Sequence, residues 1–337
     1  MKASVVKGRG VLAVEEVPTP RAGPGEVVVK VKYCGICGSD VRLLADGFFP
    51  PGIIPGHEFS GTIFEIGPGV DGWSLGERVT ANPGLNCKTC YYCVHGDWNH
   101  CPSLKILGVI GDLQGALAEY LKVGIDMLHC LPPGVTGQEA AYIEPCAVSL
   151  GTVRLSEIKI GDTAVVFGAG AIGLFALQLA RSAGARAVHV AEPSEKRRHA
   201  AAVLGADCVI DPAQAANVVG ELLVLRGIGA DVAYVCTAAP SALQQAVNSV
   251  RTRGIVMEVG GGNLATVVPE LCMWKEVQVR GSYSYLDEFG HAIELFRQRK
   301  ITVEGMISNV IPLEKVPQAF QDLTTADSEI KVLVQPA

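Results

Sequence analysis

The chain has 337 residues, 49% of them apolar and 18% charged, with a net charge of -6. That length exceeds one ordinary core and points to two domains. Gly, Pro or charge interrupts every apolar run before the roughly 18 residues of a membrane span, and a negative balance without a basic run excludes nucleic acid and anionic membranes as partners. Eleven cysteines, behind a start (Met1-Lys2-Ala3-Ser4) with no apolar leader, suggest reduced thiols, some on metal, in a cytoplasmic protein.

Residues 3–6 and 26–32 alternate as strands, separated by Pro18, Pro20 and Pro24. Then comes Cys34-Gly-Ile-Cys37-Gly-Ser39-Asp40, followed by Gly56-His57-Glu58. Singly these are ordinary: a buried thiol, a histidine in a turn, an exposed acid. Together Cys37, His57 and Glu58 offer the mixed S, N and O donors that suit zinc, beside a Pro-Gly turn that fixes the backbone. Further strands are expected at 61–66 and 76–79, completing a compact β-rich half.

The strongest single signal is Cys87-x2-Cys90-x2-Cys93-x7-Cys101. Such a lobe has no core of its own, and four thiolates on one tetrahedral zinc would supply the folding energy it lacks. An iron–sulfur cluster takes the same four ligands, and two disulfides are the remaining alternative. A closed set of four thiolates leaves no open coordination position, so this metal is read as structural.

Residues 139–148 read as a helix broken at Pro145. Glu144 lies in an apolar stretch, where an isolated carboxylate is costly. It is either a helix-end acid facing solvent or a further ligand or hydrogen-bond partner of the first metal.

At Gly161 the pattern changes. The strand 163–167 leads into Gly168-Ala-Gly170-Ala-Ile172-Gly173 and a helix over 174–183. A second strand, 187–191, ends at Glu192, nineteen residues past Gly173. This is the full dinucleotide-binding context: a tight turn, close backbone approach, pyrophosphate at a helix N-terminus and an acid for the ribose. Helices at 195–204, about 213–225 and 241–250 alternate with strands at 208–210, 232–236 and 254–259, giving a doubly wound parallel sheet. A strand at 277–282 and a helix at 287–298 follow. A tail with a helix at 315–323 and a strand at 331–334 reads as a return to the first domain.

Taken together, Gly35-Ile-Cys37-Gly-Ser39-Asp40, Gly56-His57-Glu58, the four-cysteine lobe, Glu144-Pro145 and Gly168–Gly173 resemble the zinc-dependent medium-chain dehydrogenase/reductase family along essentially the whole chain. The nearest look is to its polyol branch, related to sorbitol dehydrogenase. The resemblance implies an α/β protein. A β-rich GroES-like catalytic domain (1–146 and 288–337, with the zinc lobe at 87–101) would join a Rossmann dinucleotide-binding domain (147–287). By position, Cys37 and His57 would bind a catalytic zinc, Glu58 would bind it directly or through water, and Glu144 would approach its fourth position or the substrate. Asp40 would orient His57, and Ser39 would take the alcohol proton. Cofactor contacts would come from Gly168, Gly170, Ile172, Gly173, Glu192, Arg197, Val259, Gly260, Tyr283 and Ser284, and substrate contacts from Arg42 and Tyr285. The chain departs from the family at Arg42, where a proton-relaying histidine is usual; at Leu43, where a substrate-contacting tyrosine is usual; and at Ser284, which replaces the arginine of an Arg-Tyr pair. An arginine cannot serve as a neutral base near pH 7.

Two zinc ions per chain and NAD in preference to NADP follow as expectations, since Glu192 accepts ribose hydroxyls and repels a 2′-phosphate. The expected reaction transfers hydride from a secondary alcohol of a polyol, cyclitol or sugar-like small molecule. Threonine, a simple alcohol or a 2,3-diol is the alternative within the family, and a non-catalytic NAD-binding relative the alternative outside it. A homodimer or homotetramer built on the edge of the Rossmann sheet is expected.

Overall fold

The structure, a computed structural model, describes residues 1–212, 227–261, 266–325 and 328–336. In chain order its strands are β1 (Lys2–Gly8), β2 (Val11–Glu16), β3 (Glu26–Gly35), β4 (Glu58–Ile66), β5 (Arg78–Ala81), β6 (Gly84–Leu85), β7 (Lys105–Ile106), β8 (Tyr120–Gly124) and β9 (Leu128–Cys130). These are followed by β10 (Thr163–Phe167), β11 (Ala187–Ala191), β12 (Cys208–Ile210), β13 (Ala230–Val235), β14 (Val250–Glu258), β15 (Gln278–Gly281), β16 (Ile307–Pro312) and β17 (Lys331–Gln335).

Two sheets organise the molecule. The first runs β16-β17-β3-β4-β5-β9, with β8 also on β3, and is antiparallel apart from β16 with β17. Its inner face carries Val27, Val29, Val31, Ile63, Val79, Leu121 and Val334, a period-2 pattern that buries one side of each strand. The second sheet is wholly parallel, in the order β12-β11-β10-β13-β14-β15. Counted from β10, that is the 3-2-1-4-5-6 order of a dinucleotide-binding sheet, and the order reverses between β10 and β13. β10 and β13 are buried at every position, as a sheet covered on both faces requires. No described helix is long and apolar enough to cross a membrane.

Most expected strands lie within a residue or two of their sequence positions, while the helix expected near 213–225 falls outside the described residues. One expectation is corrected. Pro145 does not break a helix: the break comes at Ala141–Tyr142, and a new helix, Ile143–Leu155, holds Pro145 in its first turn. There the missing N–H had no intrahelical partner to lose. Glu144 is thereby set at the start of a long helix.

Candidate active site

The helix Gly38–Asp46 follows β3, with Cys37 as its N-cap and Gly47 closing it in the left-handed region at φ 78°. Within its first turn it presents Ser39 and turns Asp40 inward. β4 opens at Glu58, so the end of β3, the start of β4 and this helix converge.

Cys37, His57 and Glu58 each offer a donor atom within 4.8 Å of the others. His57 Nδ1 lies 3.4 Å from Asp40 Oδ1, and Asp40 is fully buried. Neither Asp40 oxygen nor His57 Nδ1 has a well-formed hydrogen bond elsewhere. Asp40 is thus dedicated to the imidazole, which leaves the other ring nitrogen for a metal. Burial works to lower His57, but the Asp40 charge and Cys37 outweigh it and hold the imidazole well above its ordinary value. A thiol, an imidazole and a carboxylate gathered around a point, with a buried acid behind the imidazole, fit zinc. Ser39 Oγ donates to Cys37 Sγ at 3.1 Å, on the cleft side of the cluster. Glu144 lies outside the 4.8 Å cluster but lines the same cleft. Burial pushes its carboxyl up to about 7, with Glu58 and Asp40 adding to the rise and His57 and Lys331 opposing it.

Sequence reasoning missed Lys331. Its ammonium donates to the Glu58 carboxylate at 2.7 Å and to the Ile36 carbonyl at 3.2 Å. Lys331 is 6% exposed and Glu58 1%. A buried charge needs a partner, and the only sequence signal was a lysine inside the otherwise apolar run Ile330-Lys331-Val332-Leu333-Val334, at the start of β17.

The cleft, of about 740 Å³, is lined on one side by Cys37, Ser39, Arg42, His57, Glu58 and Glu144. On the other it meets Gly170, Ala171, Ile172, Arg197, Val259 and Gly260, at the carboxyl ends of the parallel strands. Each glycine of the turn has a distinct steric reason. Gly168 takes φ 93°, which only glycine adopts readily. A Cβ on Gly173 would sit 1.9 Å from the Gly168 carbonyl, whereas one on Gly170 would meet nothing within 4 Å. That open space, at the N-terminus of the helix Ala171–Ser182, is the cradle a pyrophosphate takes. A Cβ on Gly260 would lie 2.4 Å from the Thr237 amide, so that turn too admits only glycine.

Glu192 directly follows β11, is 2% exposed, and accepts from the amides of Ala169 (2.7 Å) and Ser194 (2.9 Å). It anchors the glycine turn and does not itself line the cleft. Arg197 lines it but donates to the Glu329 carbonyl. Arg42 reaches across the mouth to the Gly261 carbonyl at 3.5 Å. Tyr283, Ser284 and Tyr285 lie outside the lining of the cleft. Tyr283 is exposed and Tyr285 buried, while Ser284 adopts a left-handed φ of 57°.

The second cluster, Cys87, Cys90, Cys93 and Cys101, also has its donor atoms within 4.8 Å. Sγ separations are 3.8 Å for Cys87–Cys93 and 3.4 Å for Cys90–Cys93, and all four cysteines are free thiols. Amide donors, Thr89 first, lower Cys87 to about 6, while burial and the neighbouring thiols raise Cys93 to about 12. Thiols this close cannot all ionise unless a cation joins them, and a tetrahedral cation suits the spacing.

The alcohol dehydrogenase GroES-like domain matches residues 23–133, and the zinc-binding dehydrogenase domain residues 171–298. The chain is 32% identical to the (R,R)-butanediol dehydrogenase of Bacillus subtilis, with 100% of each covered. It is 34% identical to a sorbitol dehydrogenase of Halalkalibacterium halodurans, over 98% of this chain and 97% of that one. A zinc-binding dehydrogenase from Sinorhizobium meliloti, whose structure holds NADP, superposes with a TM-score of 0.93 at 32% identity, covering 99% of both chains. The chain belongs to the zinc-dependent medium-chain dehydrogenase/reductase family and is an alcohol dehydrogenase that uses a nicotinamide cofactor.

Proposed function

We propose that the protein oxidises a secondary alcohol of a polyol, cyclitol or sugar-like substrate to the ketone, reversibly, with NAD. The observation that carries this reading is the convergence of Cys37, His57, Glu58, Ser39 and Glu144 with the Gly168–Gly173 turn on one cleft. Zinc, when bound, lowers the pKa of the substrate hydroxyl, and the nicotinamide ring accepts the hydride. Cys37 and His57 would hold the metal, Asp40 keeps the imidazole oriented, and Lys331 balances the charge of Glu58. Ser39 takes the alcohol proton through its hydroxyl, which both donates and accepts. Arg42 cannot pass that proton on, so we assign it to binding at the cleft mouth.

The cofactor preference rests on what is not free. Glu192 fixes a negative charge beside the glycine turn, Arg197 is bound to the Glu329 carbonyl, and Arg198 serves Asp211 and the carbonyls of Glu192 and Pro193. Among the described residues a 2′-phosphate would find the negative charge of Glu192 behind the glycine turn and no guanidinium without a partner. We assign the catalytic half to 1–146 with 288–337, supported by β16 and β17 joining the sheet of β3, and the cofactor half to 147–287. A homodimer or homotetramer fits the open outer edge of β15, next to exposed Met273 and Trp274.

The test is cofactor reduction by zinc-replete protein over polyols, cyclitols, sugar phosphates, 2,3-diols and threonine, with NAD and NADP in parallel. Turnover on a polyol or cyclitol with at least tenfold higher kcat/KM for NAD is expected. A preference for threonine, or for NADP, overturns the corresponding assignment, and a sedimentation mass of one chain overturns the assembly.

Ser39→Ala should lower kcat by about 10² to 10⁴, the usual worth of a positioned proton acceptor, with NADH binding unchanged. A kcat within a few-fold of the unaltered protein would exclude Ser39 from the proton path.

A further inference from the structure

We propose that the substrate is a phosphate monoester of a polyol or cyclitol, and that Arg42 selects it by gripping the phosphate. The inference rests on the reading of the protein as a polyol-type dehydrogenase and names the substrate class within it.

Arg42 is placed by the same helix that presents Ser39. The two are three residues apart on Gly38–Asp46, so they share a face, with Cβ atoms about 5–6 Å apart. Both line the cleft. Ser39 Oγ touches the Cys37 sulfur of the first metal cluster at 3.1 Å, which marks where the alcohol reacts. One turn further along, the exposed Arg42 side chain is within reach of a group carried a few bonds from the reacting carbon.

That guanidinium has no counter-charge. Among the described residues its one contact is from Nη1 to the Gly261 carbonyl at 3.5 Å, longer than a well-formed N–H···O bond. A Cβ on Gly261 would meet only that nitrogen, at 3.8 Å, so the space between them is otherwise open. The other charges of the lining are engaged elsewhere: Lys331 with Glu58, Arg197 with the Glu329 carbonyl, and the Glu329 carboxylate with Lys196. No ion pair joins Arg42 to Glu144, the remaining acid of the wall. A guanidinium left uncompensated in a cleft is a site for an anion, and its planar fork binds phosphate oxygens in pairs. A phosphate monoester carries about −1.5 to −2 charges at pH 7, so it gains more there than a carboxylate does.

The sheet order separates this anion from the phosphates of the cofactor. The cradle at Gly170 follows β10, and Glu192, on the adenosine side, follows β11. Gly261 follows β14, two strands from β10 in the opposite direction, or about 10 Å at the usual spacing between strands. A dinucleotide laid across the reversal between β10 and β13 puts its nicotinamide half over β13 and β14. Arg42 therefore faces the end of the cleft where hydride leaves the substrate, and not the diphosphate cradle.

The experiment measures NAD reduction by zinc-loaded protein on matched pairs, each a polyol or cyclitol and its phosphate monoester, with Arg42→Ala and Arg42→Lys alongside. The unaltered protein should favour the ester in kcat/KM by about tenfold or more. Arg42→Ala should cut that preference about ten- to a hundredfold, the worth of charge-assisted hydrogen bonds. The loss should fall on KM, because the grip is the same in the ground and transition states. Arg42→Lys should recover only part of it, since an ammonium is a point charge without the fork. Calorimetry of the ester on the enzyme–NADH complex should show the same loss in Kd, while the Kd of NADH stays as in the unaltered protein. A preference for the uncharged parent, or for the matching carboxylic acid over the ester, overturns the phosphate assignment and leaves the polyol reading standing. Weakened NADH binding at an unchanged preference for the ester overturns it as well, and moves Arg42 to the cofactor diphosphate. Turnover of threonine or a simple alcohol in place of every pair would remove the polyol reading itself.

Discussion

Cys37→Ser should nearly abolish turnover while leaving the fold and NADH binding intact. The thiol is the only sulfur in the first metal cluster, and it sits at the N-cap without making a side-chain capping bond. Serine is of similar shape, so the helix Gly38–Asp46 loses little. Nor does the substitution strand a buried charge, because Glu58 keeps Lys331 and His57 keeps Asp40. What is lost is a soft ligand of a metal worth several kcal/mol in the transition state. At 1.36 kcal/mol per tenfold, kcat should fall about a thousandfold or more. Metal analysis should show one zinc per chain, against the two proposed for the unaltered protein. Substantial turnover in a preparation with one zinc would remove the first cluster from the chemistry.

Cys90→Ser should act on stability. The lobe between β6 and β7 contains a four-residue helix, Tyr91–Val94, with no buried residue, so little apolar packing beyond Trp98 and Cys101 opposes its unfolding. Structural zinc supplies roughly 10–16 kcal/mol of binding energy in small metal-folded domains, comparable with the ~5–15 kcal/mol that stabilises a whole protein. Only the part of that energy spent on docking the lobe reaches the global transition. Even so, several kcal/mol lowers the melting temperature by roughly 10 °C in a chain of this size. Zinc should again fall to one per chain. An unchanged melting temperature, or iron in the four-cysteine site, would overturn the assignment.

Where a residue's identity is dictated by local sterics or ligand chemistry, the sequence was legible. Gly168 and Gly173 tolerate no other residue, and the four cysteines share one small loop. The strand β10 was legible because a covered strand must be apolar throughout. Less legible was whatever a distant partner decides. The helix Gly38–Asp46 is short and opens with motif residues, so its 3.6-residue pattern is masked, although Gly47 marks its end. Pro145 looked like a breaker because first-turn and interior prolines are alike until the helix start is known. The helix Pro269–Lys275 buries none of its residues and so leaves no periodic apolar trace. Lys331 is invisible without the partner it faces. The placement of Tyr283 and Ser284 outside the cleft lining likewise follows from how their loop packs on the cysteine lobe.

The pairing of Lys331 with Glu58 also has a consequence for biosynthesis. The two residues are 273 positions apart, and β17 must insert between β16 and β3 before they meet. On a ribosome adding ~5–20 residues per second, Glu58 waits about 15–55 s for its counter-charge. Through that interval one edge of β3, at Cys34 and Gly35, stays open, and an unpaired edge is a template for association with other nascent chains. The parallel strands β10 to β15 form a contiguous block that is complete earlier, so they can collapse while the catalytic half waits. The counter-charge of the metal site therefore arrives late and settles slowly, because contacts between remote parts of a chain form slowly.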